Sequence, residues 1–144
     1  MSNIMTETEL AYIAGFVDGE GCISVYRRSN GITYVPSLSI SNTNLEVLQY
    51  INGLLGGVGY FIEMKSHNPK WKTAWKLRFD SKKCGEVLKP LLPYVRVKHQ
   101  QMEMALILID FQSGKNGQQV LESAASAKKT LYDAIKKLNT RGNV

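Results

Sequence analysis

Residues 13–21 read Ile13-Ala14-Gly15-Phe16-Val17-Asp18-Gly19-Glu20-Gly21. They close a helical stretch that opens at Thr6 and Glu9, three apart in capping-box spacing. Leu10, Ile13, Ala14 and Val17 recur at helical intervals and face a core. The neighbouring stripe, Ala11, Gly15, Asp18 and Gly19, is nearly bare of side-chain bulk. Such a stripe lets a second helix backbone approach closely, a steric effect best known from membrane helices. If the second helix is the same one in another copy, the contact is a twofold axis and the residues just past it meet across that axis. Asp18 and Glu20 stand there, at the negative end of the helix dipole, where an exposed anion costs about 0.3–1 kcal/mol. A bound cation relieves that cost; simple hydration of both acids is the alternative. Carboxylate oxygens are hard ligands of the kind Mg²⁺ takes, one or two at a time, while keeping its waters. Gly19-Glu20-Gly21 ends the helix.

Two strand-like runs follow. Cys22 to Arg28 alternates, with Ile23 and Val25 on one face and Ser24, Tyr26 and Arg28 on the other. Ser29-Asn30-Gly31 reads as a turn. Thr33 to Asn42 sets Tyr34, Leu38 and Ile40 against Ser37, Ser39 and Ser41, with Pro36 marking an irregular start. A second helix is predicted from about Asn44 to Leu55, stopped by Gly56-Gly57. The pattern then repeats. A strand covers about Val58 to Lys65, and a polar loop holds His67, Asn68 and Pro69. A further strand covers Trp71 to Phe79, with Trp71, Trp75, Leu77 and Phe79 inward and Lys70, Lys72, Lys76 and Arg78 outward. In the third strand, Tyr60, Ile62 and Met64 alternate with Phe61, Glu63 and Lys65; either set fits the outer face, and Lys65 is taken as the outward candidate. A helix capped by Asp80 or Ser81 runs to Lys89, before Pro90. Two more are predicted at about Lys98 to Phe111 and Gln118 to Leu138. The order is α-β-β-α-β-β-α, then α-α: an α+β fold with one four-stranded antiparallel sheet. The reading is one domain over residues 1–144, with a core of about 8–110 and a helical extension of about 112–140.

The chain has 144 residues, of which 44% are hydrophobic and 21% charged, an ordinary globular composition. No apolar run approaches the ~18 residues of a spanning helix, and the first residues lack a secretory pattern. Two cysteines, Cys22 and Cys84, make neither a disulfide framework nor a four-ligand zinc site. P-loop and zinc-ligand spacings are absent. Eighteen Lys and Arg against twelve Asp and Glu leave a net charge of +6, for which nucleic acid is the commonest partner and an anionic membrane the second. The basic tail residues Lys128, Lys129, Lys136, Lys137 and Arg141 read first as a solvated helix face.

The segment from Ile13 to Gly21, opening such an element order, resembles the defining motif of the LAGLIDADG homing endonucleases. The resemblance covers about residues 8 to 110. One copy of the motif resembles the single-motif, homodimeric branch. The resemblance implies that Glu20, where the family usually has Asp, and the Gly19 backbone carbonyl hold a catalytic Mg²⁺ (or Mn²⁺). It implies that Asp18 supports the helix pair and that Ala11, Gly15, Asp18 and Gly19 form the dimer interface. Asn42 stands where the family often has Gln and would hold a water, while an N-cap role for the next helix is equally open. Lys98 stands where the family has a basic residue near the scissile phosphate and would stabilise developing charge. His99 is given no such role.

The implied reaction is metal-assisted hydrolysis of both strands of a long, near-palindromic duplex, promoting intron mobility. Recognition would come from a ribbon in the major groove, through Ser24, Tyr26, Arg28, Asn30, Ser37, Ser39, Ser41, Lys65, Lys72, Lys76 and Arg78. Double-stranded DNA and a second copy are the expected partners, with no membrane and no small-molecule substrate. Two rivals stand beside this reading. One is the same fold without cleavage, as an intron maturase or DNA-binding regulator; the other is a basic structural protein whose glycine stripe merely packs. The compartment would be a bacterial or phage cytoplasm, or an organelle.

Overall fold

The computed structural model describes residues 4–31, 33–112 and 122–140. Helix α1 (Glu7–Glu20) opens on the expected capping box. The Thr6 amide donates to Glu9 Oε1 at 2.9 Å, and the Glu9 amide to Thr6 Oγ1 at 3.1 Å. Ile13, Ala14 and Val17 are buried along one stripe, and Leu10 is partly buried against the same core. The chain passes from α1 into strand β1 (Gly21–Arg27) without a loop.

Strand β1 pairs antiparallel with β2 (Tyr34–Asn42), Ile23 opposite Leu38 and Ser24 opposite Ser37. Asn44 caps helix α2 (Leu45–Leu54), its side chain accepting from the Val47 amide. Gly56 and Gly57 then take φ of 91° and 71°, left-handed values suited to glycine, and turn the chain back. Strands β3 (Tyr60–Met64) and β4 (Ala74–Asp80) form the second hairpin, and β4 also pairs with β2, so the sheet order is β1-β2-β4-β3. Helices α3 (Ser81–Leu91), α4 (His99–Gln112) and α5 (Glu122–Asn139) complete the α+β fold.

The inner face of the sheet carries Ile23, Leu38, Ile40, Leu77 and Phe79. They pack with Ile13 and Val17 of α1, Leu48 and Ile51 of α2, Leu88 and Leu91 of α3, and Met102 of α4. Each such side chain, fully buried, contributes roughly 1.5–3 kcal/mol. A smaller cluster of Val25, Tyr34, Leu108 and Ile135 seats α5. Two amides lock the helical extension to the sheet. Gln112 bonds both the amide and the carbonyl of Tyr34, at 2.8 and 2.7 Å, and Asn139 Nδ2 donates to the Ile23 carbonyl at 2.7 Å.

The structure corrects several sequence expectations. Lys128, expected on a solvated helix face, is only 8% exposed. Strand β4 starts at Ala74, and Trp71 lies in the preceding loop, 69% exposed rather than in the core. In β3 it is Phe61 that pairs with buried Leu77 and packs on the core, so Tyr60, Ile62 and Met64 face outward. Helix α3 continues through Pro90 to Leu91. The ring removes one amide from the last turn, but burial of Leu88 and Leu91 holds the helix, and Glu86, four residues back, lies on its exposed side. Asp80 makes no side-chain cap for α3; its carboxylate is engaged on the outer sheet face. The expected start of the last helix at Gln118, and Arg141, lie outside the described residues.

Candidate metal site and nucleic-acid interface

Asp18 and Glu20 sit two residues apart but meet different fates. Asp18 reaches across to the segment entering α4. Its Oδ2 accepts from the Arg96 amide at 2.8 Å, and its Oδ1 from the amides of Val97 and Lys98, both at 3.1 Å. Three successive amides make an anion nest, and the N-terminal pole of α4 lies just beyond. The unfavourable position at the end of α1 is thus offset by a favourable one at the start of α4. The same contact fixes the backbone of Lys98, whose carbonyl takes the first turn of α4 from Met102 at 2.9 Å.

Glu20 is exposed and, among the described residues, makes no hydrogen bond or ion pair. The last carbonyls of a helix have no intrahelical donors; here the Gly21 amide returns to the Val17 carbonyl, and that of Gly19 lies beyond it. A free carboxylate beside the carbonyls of a helix end is a hard-oxygen donor set that fits Mg²⁺. Among the described residues no group of three or more His, Cys, Asp or Glu gathers, so one chain brings a single free carboxylate here. Gly21 is needed for this turn; the sequence marks it as part of the helix-ending stretch but does not show which contact excludes a side chain. A Cβ there would stand 2.6 Å from the Val17 carbonyl oxygen, whereas at Gly15 and Gly19 it would meet nothing within 4 Å.

The bare stripe therefore lies open on a single chain. Ala11, Gly15 and Gly19 are exposed. Beside them lies an aromatic group in which Tyr12 meets Phe16 at a tilt and Tyr50 edge-on, at ring-centroid distances of 6.0 and 6.3 Å. Asn42 ends β2, just beyond the Gly21–Ile40 pair that begins the β1–β2 ladder. Its Oδ1 accepts from the Asn44 amide at 2.8 Å, so it braces the cap of α2 without being that cap. His99 Nδ1 meets Glu103 at 3.1 Å.

The outer face of the sheet carries Ser24 and Tyr26 from β1, Ser39 and Ser41 from β2, and Lys76 and Arg78 from β4. Ser41 lies opposite Lys76 and Ser39 opposite Arg78. Five expected contacts are placed differently. Ser37 shares this face but is only 2% exposed, covered where it bonds Asp80. Lys65 lies past the end of β3 and in the phase of Phe61, not of the outward set. Lys72 precedes β4 and is an exposed loop residue. Arg28 follows β1, its amide bonded to Thr33. Asn30 uses both ends of its side-chain amide on Thr33, each at 3.0 Å, to close the hairpin turn.

The structure adds Tyr60 and Asp80 to this face. Arg78 Nε donates to Asp80 Oδ1 at 2.9 Å, Tyr60 hydroxyl to Asp80 Oδ2 at 2.7 Å, and the Arg78 guanidinium lies 5.2 Å from the centre of the Tyr26 ring. Burial raises the Asp80 carboxyl pKa, but hydrogen bonds from Tyr60, Arg78 and Ser37 outweigh it and hold the group below its ordinary range. The Tyr60 phenol is pushed up by burial and by Asp80. Asp80 was legible by period: it continues the Lys76, Arg78 alternation. Its place before a helix read as a cap instead. Cys84 is buried, and its thiol is pushed up to about 12, so it offers no thiolate for chemistry.

Solved structures share this fold. I-Vdi141I, an archaeal intron-encoded homing endonuclease complexed with DNA, matches with a TM-score of 0.77 and 23% identity over 94% of this chain and 87% of that one. I-CvuI, bound to its target in the presence of 2 mM Ca, matches at 0.72 and 21% identity over 95% and 86%. I-SmaMI bound to cleaved DNA matches at 0.67 and 19% identity, covering 91% of this chain but 44% of that one. At such identities the likeness is one of fold. The LAGLIDADG endonuclease family model matches residues 13–107, from the motif through the sheet and into α4, which is 95 of the 144 residues. On that match, the chain belongs to the LAGLIDADG endonuclease family.

Proposed function

We propose that this protein is a site-specific homing endonuclease. It works as a homodimer, hydrolyses both strands of a long, near-palindromic DNA target with Mg²⁺ or Mn²⁺, and so promotes movement of the intron that encodes it. The observation that carries this is the contrast between the two acids. Asp18 is held by three amides of its own chain, while Glu20 is left free at the edge of an open stripe. Twofold packing of α1 along Ala11, Gly15, Asp18 and Gly19 would bring two such carboxylates to one axis, with the Tyr12 group extending the contact.

In this reading Glu20 and the Gly19 carbonyl hold a divalent ion, which when bound activates water and stabilises the attacking and leaving oxygens. Lys98, its backbone fixed by Asp18, places a positive charge where the scissile phosphate gains charge. Asn42 orients water with the part of its side chain that the Asn44 amide leaves over. Tyr26, Ser39, Ser41, Lys76 and Arg78 contact the duplex, with Lys65, Lys72 and Arg28 reaching phosphates from the loops. Two chains of +6 each give the dimer +12, so affinity should fall steeply with salt. The family's DNA-bound neighbours support this reading.

The test is cleavage of a randomised plasmid library, with Glu20→Gln beside the wild type. We expect cutting in Mg²⁺ by the wild type, none in Ca²⁺, and in the variant binding without cutting. A Glu20→Gln protein that still cleaves removes Glu20 from the reaction. Wild-type protein that binds a duplex but never cuts it with Mg²⁺ or Mn²⁺ would replace this reading with that of a DNA-binding regulator.

A further inference from the structure

The outer sheet face carries one acid in a place where a DNA-binding surface has most reason to avoid one. Asp80 lies among Arg78, Tyr60, Ser37 and Tyr26, on strands β4, β3, β2 and β1. Its two oxygens take Arg78 Nε at 2.9 Å and the Tyr60 hydroxyl at 2.7 Å, with the Ser37 hydroxyl as a further partner. The Tyr26 ring lies against the guanidinium at 5.2 Å. Arg78 and Asp80 side chains keep 25% and 24% of their exposure, so the group is held in place yet open to a ligand.

Phosphate binding does not account for this group. A carboxylate 2.9 Å from the guanidinium cancels much of its charge and repels a phosphate. What the arrangement does supply is direction. With Nε fixed to Asp80, the two terminal nitrogens of Arg78 form the free edge of a planar fork. A guanine presents two acceptors, O6 and N7, to such a fork in the major groove, and no other base presents that pair.

We infer that Arg78 reads a guanine in each half-site, with Asp80 as the positioning residue that aims it and Tyr60 and Tyr26 as braces. The inference rests on the proposed DNA-binding role and deepens it. Asp80 then raises selectivity in two ways. It fixes the fork for one base, and it weakens the attraction to phosphates that every sequence shares.

Selection of bound duplexes from a randomised library, with Ca²⁺ present and at fixed salt, tests this in the full-length protein. Wild type should select a guanine at one position per half-site. Arg78→Lys keeps the charge but loses the fork. It should lower discrimination at that position about tenfold to hundredfold, leaving the other positions unchanged. Asp80→Asn should lower discrimination at the same position while binding random duplex severalfold more tightly at low salt. Those opposite signs are not expected of a merely structural residue. Tyr60→Phe, the mildest change, should cause a smaller loss at the same position. A guanine preference unchanged in Arg78→Lys would overturn the inference, as would Asp80→Asn weakening selected and random DNA alike. Failure to bind any duplex would remove the DNA-binding reading itself. Specific binding without dependence on Arg78 removes only this inference.

Discussion

At the scale of the residue, Asp18 shows how one carboxylate joins two distant parts of the chain. Its three amide donors lie 78 to 80 residues away. Loss of the side chain orphans all three at the entry to α4. By comparison with helix caps, Asp18→Ala should cost about 1–2 kcal/mol. In urea this would lower the midpoint with an unchanged slope, and Asp18→Asn, with one acceptor oxygen left, should recover part of the loss. An unchanged midpoint in Asp18→Ala would mean that water serves those amides equally well. The motif showed in advance that an acid stood at this spot, but not what it bonds, because nothing in local spacing points to residues 96–98. The cysteines make a second residue-level contrast. Cys22 is exposed, and Cys84 is buried with its thiol raised to about 12. A thiol reagent at pH 8 should label one cysteine in the native protein and two after denaturation. Two labelled natively would place Cys84 in a part of the fold that opens readily.

At the scale of the element, Asp80 ties three strands through Ser37 of β2, Tyr60 of β3 and Arg78 of its own β4. Its pKa is depressed in the fold because those hydrogen bonds outweigh burial. A group depressed on folding stabilises fully above its unfolded pKa and loses that contribution as pH falls through its folded value. The thermal midpoint should therefore fall below the ordinary carboxylate range, and Asp80→Asn should flatten that acid limb. If both proteins lose stability in parallel as acid is added, other carboxylates govern the decline. The strands also show which patterns sequence can carry. From Ile23 to Val25 in β1 and from Ser37 to Ser41 in β2, apolar and small polar residues alternate, and their inward and outward sets were legible there. In β3, Tyr, Phe, Ile and Met stand side by side, and every one of them suits either face. Only pairing with β4, Phe61 opposite Leu77, sets the phase. Trp71 misleads for a related reason, since hydrophobic character alone does not extend a strand into a turn whose amide bonds the Asn68 carbonyl. Helix α3 passes Pro90 because buried leucines on either side outweigh a rule that is purely local.

At the scale of the whole molecule, the glycines of α1 and of its C-cap separate what folding requires from what the proposed assembly requires. At Gly21 a side chain would collide with the Val17 backbone, so Gly21→Ala should destabilise the single chain. At Gly15 a Cβ meets open space. A helical glycine costs about 0.5–1 kcal/mol relative to alanine, so an exposed Gly15 weakens an isolated chain without any benefit visible inside it. Close approach of a second α1, as proposed above, would supply the missing reason. Gly15→Leu should therefore leave a folded protein that sediments as a monomer and melts at a temperature independent of its concentration. The wild type should sediment as a dimer whose midpoint rises with concentration. Cutting of both strands should be lost with the dimer, while the isolated variant keeps its helical content. A Gly15→Leu protein that stays dimeric and active would move the interface off this stripe. It would also remove the reason for placing two Glu20 carboxylates on one axis.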